Sequence, residues 1–327
     1  MSIYLKMRVK RDIVFKVLAT LLVATICGAC NQTTYNDGAI RFRTAPDDIT
    51  RAGIESNTDL QTACSSGGEA VGVVGTVTTP QSGNVEIFSN ERIYFSGGRW
   101  TYDNPRYWVW ESLHEFMAIY PYSKNYTYDS AAGTLVWNDI VLGTENNMDV
   151  MWAVASRDLV ENNDSTSPVT LNLHHAFALL EFRFVNASSS AVSRIDNISL
   201  EGVLYKGDFG FTKEGTSTLT VDADVAGAGV YEGELTATNI PVDLSTSHNL
   251  FDNVGTLVVM PQEVYKKNIL LNMQIGGGVV SGVNLGTNST SYNWEAGKKY
   301  VYTMTLTTDR ITFDVHVREW IDDEIEL

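Results

Sequence analysis

The chain has 327 residues, of which 44% are hydrophobic and 10% aromatic, and its formal net charge is −16. That length accommodates two domains of ordinary size, and the apolar content is sufficient for packed cores. The first 29 residues carry a net charge of +4, so the rest of the chain carries −20. So acidic a chain argues against nucleic acid and against an anionic bilayer as direct partners.

The N-terminus is typical of a targeting segment. A basic region ends at Lys16, an apolar run of eleven residues extends from Val17 to Cys27, and two small residues directly precede Cys30. Eleven apolar residues are too few to span a bilayer as a helix. The small residues before Cys30 resemble the lipobox of a bacterial lipoprotein, so residues 1–29 are predicted to be a lipoprotein signal peptide. The alternative is an ordinary secretory signal cleaved nearby.

The cysteines are consistent with this interpretation. Cys27 would leave with the signal peptide and Cys30 would be acylated through its sulfur, which leaves Cys64 alone. A single cysteine forms neither an internal disulfide nor a paired-cysteine zinc site. Cys64 is therefore predicted to be a packed or surface thiol, and the fold must depend on its core.

The first half of the chain has the pattern of short β-strands. Ala39–Thr44 alternates apolar with cationic residues, which predicts a strand, and the segments after it are broken by Gly, Pro, Asn and Ser. Helical periodicity is almost absent. The other strands predicted in this half are Ala70–Thr78, Val85–Ser89, Glu91–Phe95, Glu111–Pro121, Leu135–Trp137 and Asp149–Ala155.

A polar stretch without apolar periodicity, Val160–Pro168, marks the predicted domain boundary. After it, Val169–Asn186 gives the longest predicted strand of the chain. Many short strands with turns every 8–12 residues are typical of β-sandwiches, so we predict an all-β chain with domains at 52–165 and 166–327. The remaining strands predicted in this half are Ile195–Val203, Gly207–Phe211, Ser217–Val221, Gly233–Ala237, Thr256–Met260 and Ile269–Ile275.

Two further alternating strands close the chain and are joined by the short polar connection Thr307–Arg310. In the second of them, the apolar residues fall on one face and polar residues on the other, as in a half-buried strand. The apolar face consists of Ile311, Phe313, Val315 and Val317.

Signatures of enzymes and of metal sites are missing from the sequence. It contains no nucleophile elbow, zincin helix, phosphate-binding loop or paired-cysteine spacing, so we predict no enzyme activity, no cofactor and no metal. His174 and His175 are adjacent in a predicted strand and would lie on opposite faces. Glu111 and Glu115 form the only weak candidate for a carboxylate pair.

The segments, taken in order, resemble the Bacteroides-type fimbrillin family, the lipoprotein pilins of type V pili. The resemblance covers nearly the whole chain. The motifs that carry it are CGAC at Cys27–Cys30, IRFRT and TRAG within Ile40–Gly53, FMAIYPYS at Phe116–Ser123, DVMWAVA at Asp149–Ala155, LNLHHAFALLEFRFVN at Leu171–Asn186, ISLEGVLYKGDF at Ile198–Phe209, LVVMPQEV at Leu257–Val264, and the terminal WEAGKKYVYTMTL and ITFDVHVREW.

The resemblance implies two tandem transthyretin-like β-sandwich domains. It also implies a precursor that is exported and processed before it assembles. The precursor would be lipidated on Cys30, carried to the outer membrane and cell surface, and cleaved by an arginine-specific protease. Arg51 before Ala52 matches the cleavage site best, Arg43 and Arg41 being competing sites, so residues 30–51 would be a propeptide carrying the first strand.

For assembly, the resemblance implies polymerisation into a fimbrium by β-strand exchange. The implied partners are copies of the chain or other fimbrial subunits, with host or microbial surface ligands as further candidates. The terminal strand, with Ile311, Phe313, Val315 and Val317, is the predicted donor. The position of the subunit as stalk, tip or anchor stays open.

One alternative comes from a different class of protein. Trp100, Trp108, Trp110 and neighbouring tyrosines would form a stacking platform in a cell-surface glycan-binding lipoprotein that does not polymerise. Such a protein would stay monomeric after proteolysis, which separates the two hypotheses.

Overall fold

The structure is a computed structural model. It describes residues 38–44, 57–65, 67–143, 148–160, 164–187, 192–221, 231–233, 237–240, 248–249, 257–275, 278–287, 291–307 and 311–319. Residues Ala39–Leu327 form one compact unit. The predicted lipidation site Cys30 and the predicted cleavage site at Arg51 and Ala52 lie outside the described residues.

Within its described residues, the first half of the chain is built of strands and one short helix, α1, at Asn57–Ala63. The strands are β1 (Phe42–Thr44), β2 (Val71–Thr79), β3 (Gly83–Ser96), β4 (Arg99–Thr101), β5 (Leu113–Tyr120), β6 (Tyr126–Asp129), β7 (Thr134–Val141) and β8 (Met151–Asp158).

The described part of the second half is also built of strands, with a 3-10 turn at Leu285–Thr287. The strands are β9 (Val169–Leu171), β10 (His174–His175), β11 (Ala178–Asn186), β12 (Val192–Glu201), β13 (Lys206–Thr212), β14 (Ser217–Val221), β15 (Tyr231–Gly233), β16 (Ala237–Ile240), β17 (His248–Asn249), β18 (Leu257–Val259), β19 (Gln262–Glu263), β20 (Leu270–Ile275), β21 (Gly278–Asn284), β22 (Asn293–Trp294), β23 (Lys298–Leu306) and β24 (Ile311–Glu319).

The largest sheet has six strands in the order β10-β8-β5-β2-β3-β4, and all neighbours are antiparallel. Both faces of its central strands are buried. Val73 and Phe116 belong to one hydrophobic cluster, which we call core A, whereas Val74 and Met117 belong to a second cluster, core B. Burial on both faces explains why the buried part of β2, residues 71–77, does not alternate apolar with charged residues.

Core A surrounds the first strand of the chain, and core B extends through the C-terminal half. Core A includes Ile40, Phe42, Phe88, Phe116, Met151 and Val169. Core B includes Trp137, Phe177, Phe182, Phe209, Phe211, Met273, Trp294 and Tyr302. The chain is therefore an all-β protein whose sheets pack face to face around these cores, as the sequence predicts.

The remaining sheets are smaller. Sheets of four and five strands have the orders β14-β13-β7-β6, β17-β11-β23-β24 with β18 also on β11, and β15-β12-β20-β21 with β16 also on β12; β1-β9 and β19-β22 are two-stranded.

Among the described residues, three sheets join strands from both sides of the predicted domain boundary, through the pairs β1-β9, β8-β10 and β7-β13. In the sheet β14-β13-β7-β6, β7 precedes residues 160–168 and β13 follows them, and Phe209 of β13 pairs with Trp137 of β7. The side chains of this sheet contribute to core B. The two halves of the chain thus share three sheets, and the division into domains at 52–165 and 166–327 stays a prediction.

The prediction of one long strand over Val169–Asn186 is wrong. This segment contains three strands in three different sheets, since β9 pairs with β1, β10 with β8, and β11 with β18 and β23. A run of apolar residues shows that a segment is buried, but it does not show which neighbour each part pairs with.

Two smaller differences concern the first half. Val85–Ser89 and Glu91–Phe95 are parts of the single strand β3, because Asn90 adopts a positive φ of 47° and the register shifts near it without ending the pairing. The helix α1 was not predicted, since its seven residues bury only Leu60.

Part of the predicted strand Gly233–Ala237 lies outside the described residues.

Candidate functional site: the first strand and its groove

The segment Ala39–Thr44, which we call the N-terminal segment, lies in core A with its side chains alternating as predicted. Ile40, Phe42 and Thr44 point inward and are only 0%, 5% and 5% exposed, whereas the side chain of Arg43 is exposed. Ile40–Thr44 therefore buries every second side chain, three in all. We call the channel that it occupies the strand groove.

One edge of the N-terminal segment pairs with β9 in parallel. Phe42 is opposite Val169, and Thr44 is opposite Leu171. The backbone N–H of Val169 donates to the carbonyl oxygen of Arg41 over 2.7 Å. β9 is the only strand partner of β1 among the described residues, so its backbone forms one wall of the groove.

The opposite edge is held by the segment that follows β4. The N–H of Ile40 donates to the carbonyl oxygen of Arg106 over 2.7 Å, and the hydroxyl of Tyr102 donates to the carbonyl oxygen of Ile40 over 2.6 Å. Ala39 forms an antiparallel bridge with Tyr107. The N-terminal segment is thus bonded through its backbone on both sides, as an inner strand would be.

The floor of the strand groove is aromatic. The ring of Phe42 lies 5.5 Å from that of Phe88, 5.4 Å from that of Phe116 and 6.1 Å from that of Tyr102, and all three contacts are edge-to-face. Edge-to-face pairs at such distances add to the free energy gained by burying the area. We call these three rings the aromatic cage.

Two side-chain hydrogen bonds also hold the N-terminal segment in the strand groove. The Nε–H of Arg43 donates to the hydroxyl oxygen of Thr170 over 2.8 Å on the outer side. On the inner side, the hydroxyl of Thr44 hydrogen bonds to the side-chain oxygen of Asn57, at the start of α1. Both contacts lie at the C-terminal end of the segment.

Arg157 of β8 lies at the rim of the groove, close to the entry into β9. Its guanidinium donates to the carbonyl oxygens of Asp164, Ser167 and Pro168 at 3.0, 2.6 and 3.2 Å. Burial lowers the pKa of Arg157, the charge of Asp164 opposes this effect, and the charge of Arg43 lowers the pKa further. The two arginines are therefore near enough to repel each other.

The loop beside the groove is shaped by a buried histidine. His114 is fully buried; its Nε2 accepts from the N–H of Val109 at 3.3 Å, and its Nδ1 lies 3.3 Å from the hydroxyl of Ser112. Burial, together with the charge of Arg157, lowers the pKa of His114 to about 4. The neutral ring packs against Trp108, with centroids 4.8 Å apart.

The predicted donor strand β24 lies at the edge of its own sheet. It pairs with β23 over nine residue pairs, and within the described residues its outer edge has no partner strand. Ile311, Phe313 and Val315 are half-buried against core B, whereas Val317 is 48% exposed. The apolar face predicted from the sequence is present, but it is incompletely covered in the single chain.

The proposed aromatic platform does not form. Trp100 and Trp108 are only 8% and 7% exposed, and of the three tryptophans only Trp110, 57% exposed, is at the surface. Trp108 is further covered by the guanidinium of Arg157, 4.8 Å above its ring. Sequence reasoning failed here because an aromatic-rich segment has the same pattern whether it faces solvent or the core.

The ionisable residues considered for catalysis have structural contacts. His174 is exposed and His175 is buried 3.0 Å from Asp149, on opposite faces as expected. Glu111 precedes β5 with a positive φ, and Glu115 contacts Lys213 at 3.1 Å. Among the described residues, no group of three or more His, Cys, Asp or Glu side chains converges as a metal site would require.

Sequence reasoning identified the N-terminal segment but missed the residues that receive it. Phe88, Tyr102, Arg157 and β9 are distant along the chain, and nothing local distinguishes them from other core or loop residues. The one signal in the sequence is a five-residue pattern, Ile-x-Phe-x followed by a β-branched residue, which Ile40–Thr44 shares with Ile311–Val315.

The stacked sheets and the buried first strand define an all-β protein of the β-sandwich class. A family model described as fimbrillin-like matches residues 50–320, and the chain belongs to the fimbrillin-like family. It is thus a protein of the fimbrial type, and this family implies a cell-surface fimbrium shared with other fimbrial subunits. No helix in the described part of the chain is long and apolar enough to cross a membrane.

Solved structures from Bacteroides share this fold. A fimbrial protein of Bacteroides vulgatus is 15% identical, with a TM-score of 0.56 over 86% of this chain and 99% of that one. Two candidate cell adhesion proteins also have TM-scores of 0.56. The one from Bacteroides uniformis is 16% identical over 87% of this chain and 100% of its own, and the one from Bacteroides ovatus is 14% identical over 88% and 98%. No curated protein matches this chain in sequence.

Proposed function

We propose that this chain is a pilin-type fimbrial subunit that polymerises by strand exchange. The N-terminal segment occupies the strand groove until a protease cuts after Arg51, and the C-terminal hairpin of another copy or of a sister subunit then replaces it. The observation that carries this proposal is the N-terminal segment itself, which is deeply buried yet precedes the predicted cleavage site.

Release of the segment would create a strong binding site. The N–H of Val169 and the carbonyl oxygen of Arg106 would lose their backbone partners, and the aromatic cage would open to water. Buried backbone groups without partners and exposed apolar surface both favour capture of a new strand. Burial of Ile40 and Phe42 contributes roughly 1.5–3 kcal/mol each, which sets the scale for a replacement.

The C-terminal strand has the properties of such a replacement. β24 lies at a sheet edge, and its four apolar residues, Ile311, Phe313, Val315 and Val317, are half-buried or exposed in the single chain. A strand that adds main-chain hydrogen bonds and alternate side chains to a groove binds by β-augmentation. The donor offers four apolar side chains where the N-terminal segment offers Ile40 and Phe42.

Export as a lipoprotein supplies the route to the cell surface. Residues 1–29 would direct secretion, lipid on Cys30 would hold the precursor at the outer membrane, and residues 30–51 would leave as the propeptide. Arg41 and Arg43 are protected from the protease while the N-terminal segment is paired on both edges. This protection favours Arg51 as the cleavage site.

The test uses residues 31–327, treated with an arginine-specific protease and followed by intact mass and particle size. We expect one cut after Arg51 and conversion of residues 52–327 into oligomer ladders or filaments. The Arg51→Ala variant should stay uncut and monomeric, whereas Arg43→Ala should behave as the parent chain. A chain that is cut after Arg51 and stays monomeric would overturn the proposal.

A further inference from the structure

The N-terminal segment and the donor strand contain the same five-residue pattern. Ile40–Thr44 has the sequence IRFRT and Ile311–Val315 has the sequence ITFDV, so each has Ile, then Phe two residues later, then a β-branched residue. From residue 38 onward, this pattern occurs in the chain only at these two places. The same shape of inward face is therefore encoded at both ends of the folded chain.

The alternation of burial agrees in the two strands. Ile40, Phe42 and Thr44 point inward in the groove, and Ile311, Phe313 and Val315 are the covered side of β24, with Thr312 and Asp314 exposed. The inward residues of the N-terminal segment therefore correspond one to one with the covered residues of β24.

Resting on the proposed function, we infer that the donor strand enters the strand groove of a second copy in one register: Ile311, Phe313 and Val315 occupy the sites of Ile40, Phe42 and Thr44. The incoming strand then runs parallel to β9, as the N-terminal segment does, and Asp314 takes the place of Arg43 opposite Thr170.

Other registers are penalised by the shape of the groove. A slip by one residue would place Thr312 or Asp314 in the aromatic cage, where a polar side chain has no partner. A slip by two residues would place Ile311 or Val315 in the cage, which is filled by a phenyl ring in the single chain. A smaller side chain there leaves a cavity, and cavities in a core are costly.

The inner end of the groove tolerates the change from Thr44 to Val315. Thr44 bonds to the side chain of Asn57, which is only half-buried and can turn to water instead. Val315 has nearly the same shape as threonine without its hydroxyl, so it fills the site while no buried donor or acceptor is left unpaired.

The outer side of the groove supplies a change of charge. Arg43 lies near enough to Arg157 to repel it, and in the inferred register the carboxylate of Asp314 stands on that side instead. In the single chain Asp314 is exposed and contacts His316 at 3.6 Å and the N–H of Val315 at 2.9 Å. Strand exchange therefore replaces the repulsion between Arg43 and Arg157 by an attraction between Asp314 and Arg157. This change favours the donor strand over the N-terminal segment.

The register is tested by disulfide trapping between two singly substituted chains, each cut by the protease after mixing. An acceptor with Thr170→Cys and a donor with Asp314→Cys should form a covalent dimer under mild oxidation, because paired strand residues have suitable Cα separations. The matched donors Thr312→Cys and His316→Cys, which are outward but two residues away, should crosslink at least about tenfold less. Cys64 is buried and should not compete.

The outcomes separate the register from the function. Filaments that crosslink through Thr312→Cys or His316→Cys, and not through Asp314→Cys, would overturn the register and retain strand exchange. Absence of any polymer after cleavage would overturn both. As a second measurement, Asp314→Lys should slow assembly about fivefold relative to Thr312→Lys, and equal rates would remove the role of the rim charge.

Discussion

The ring of Phe42 stands edge-on to that of Phe116, with centroids 5.4 Å apart and an interplanar angle of 87°. This contact joins a three-residue strand at the start of the fold to the middle of the largest sheet. Core A is completed by a strand that has one short ladder partner, β9. The stability of that core and the readiness of the chain to exchange strands therefore depend on the same few residues.

Removal of the Phe42 side chain should destabilise the uncut chain. In Phe42→Ala, the ring that fills the aromatic cage is lost and a cavity remains, so we expect a loss of about 3–5 kcal/mol of unfolding free energy, measured by urea unfolding. Arg43→Ala, on the exposed side, should cost at most about 1 kcal/mol. Equal losses in the two variants would contradict the inward packing of Phe42.

Removal of the donor strand should separate folding from assembly. A chain ending at Thr307 retains core A, the strand groove and β23, and it loses a strand whose apolar residues are only half-buried. We expect a folded monomer that is cut after Arg51 and does not extend into filaments, as judged by circular dichroism and size-exclusion chromatography. Polymers from this truncated chain would rule out the C-terminal strand as the donor.

Acid should destabilise the loop beside the groove through His114. Its pKa in the folded chain is about 4, below the ordinary value near 6.5 of an unfolded histidine. As pH falls from about 6.5 to about 4, the unfolded chain takes up a proton that the folded chain does not, so stability falls, on the order of 2 kcal/mol in total.

The control compares pH profiles of the unfolding midpoint. His114→Gln should flatten the profile between pH 6.5 and pH 4 by this amount, whereas His316→Gln, at an exposed residue, should leave it unchanged. The opposite result, with His114→Gln following the parent profile, would show that other groups cause the acid sensitivity.

The parallel pairing of β11 with β23 depends on a buried carboxylate. Glu181 contacts Arg183 at 2.8 Å and Lys299 at 2.5 Å, and although burial alone would raise its pKa, these partners hold the pKa below its usual value. Glu181→Gln should cost about 2–3 kcal/mol near neutral pH. Because the pKa is lowered, this difference should shrink only as pH falls from the ordinary glutamate value toward the lowered one.

A surface ion pair provides the matched control for Glu181. Glu263 and Lys267 lie 2.9 Å apart, but both side chains are more than half exposed. Glu263→Gln should leave the unfolding free energy nearly unchanged, because solvent screens an exposed ion pair. A cost for Glu263→Gln equal to that of Glu181→Gln would show that burial does not determine the strength of the Glu181 contacts.

Cys64 should be chemically inert in the folded protein. It is fully buried in core A, and burial, reinforced by the charge of Glu69, raises its pKa to about 12. A thiol reagent should therefore react with residues 31–327 only after unfolding in urea. Rapid reaction in buffer, at a rate near that of a free thiol, would contradict the packing around α1.

The strands that were predicted well are those with a clean period of two. β24 extends over Ile311–Glu319 and β14 over Ser217–Val221, close to the sequence prediction, since alternation fixes both the conformation and the buried face. The long apolar stretch beginning at Val169 was predicted poorly. Its residues are buried throughout, so no alternation marks the points where the chain leaves one sheet for the next.

The local order of apolar and polar residues is enough to predict the β-class of the fold and the inward faces of the first and last strands. The residues that those faces contact are known only from the folded structure. Phe42 packs on Phe88 and Phe116, Arg43 stands beside Thr170, and Arg157 lies at the rim of the groove. A strand pattern specifies a surface, whereas its partner is selected by packing between residues far apart in the chain.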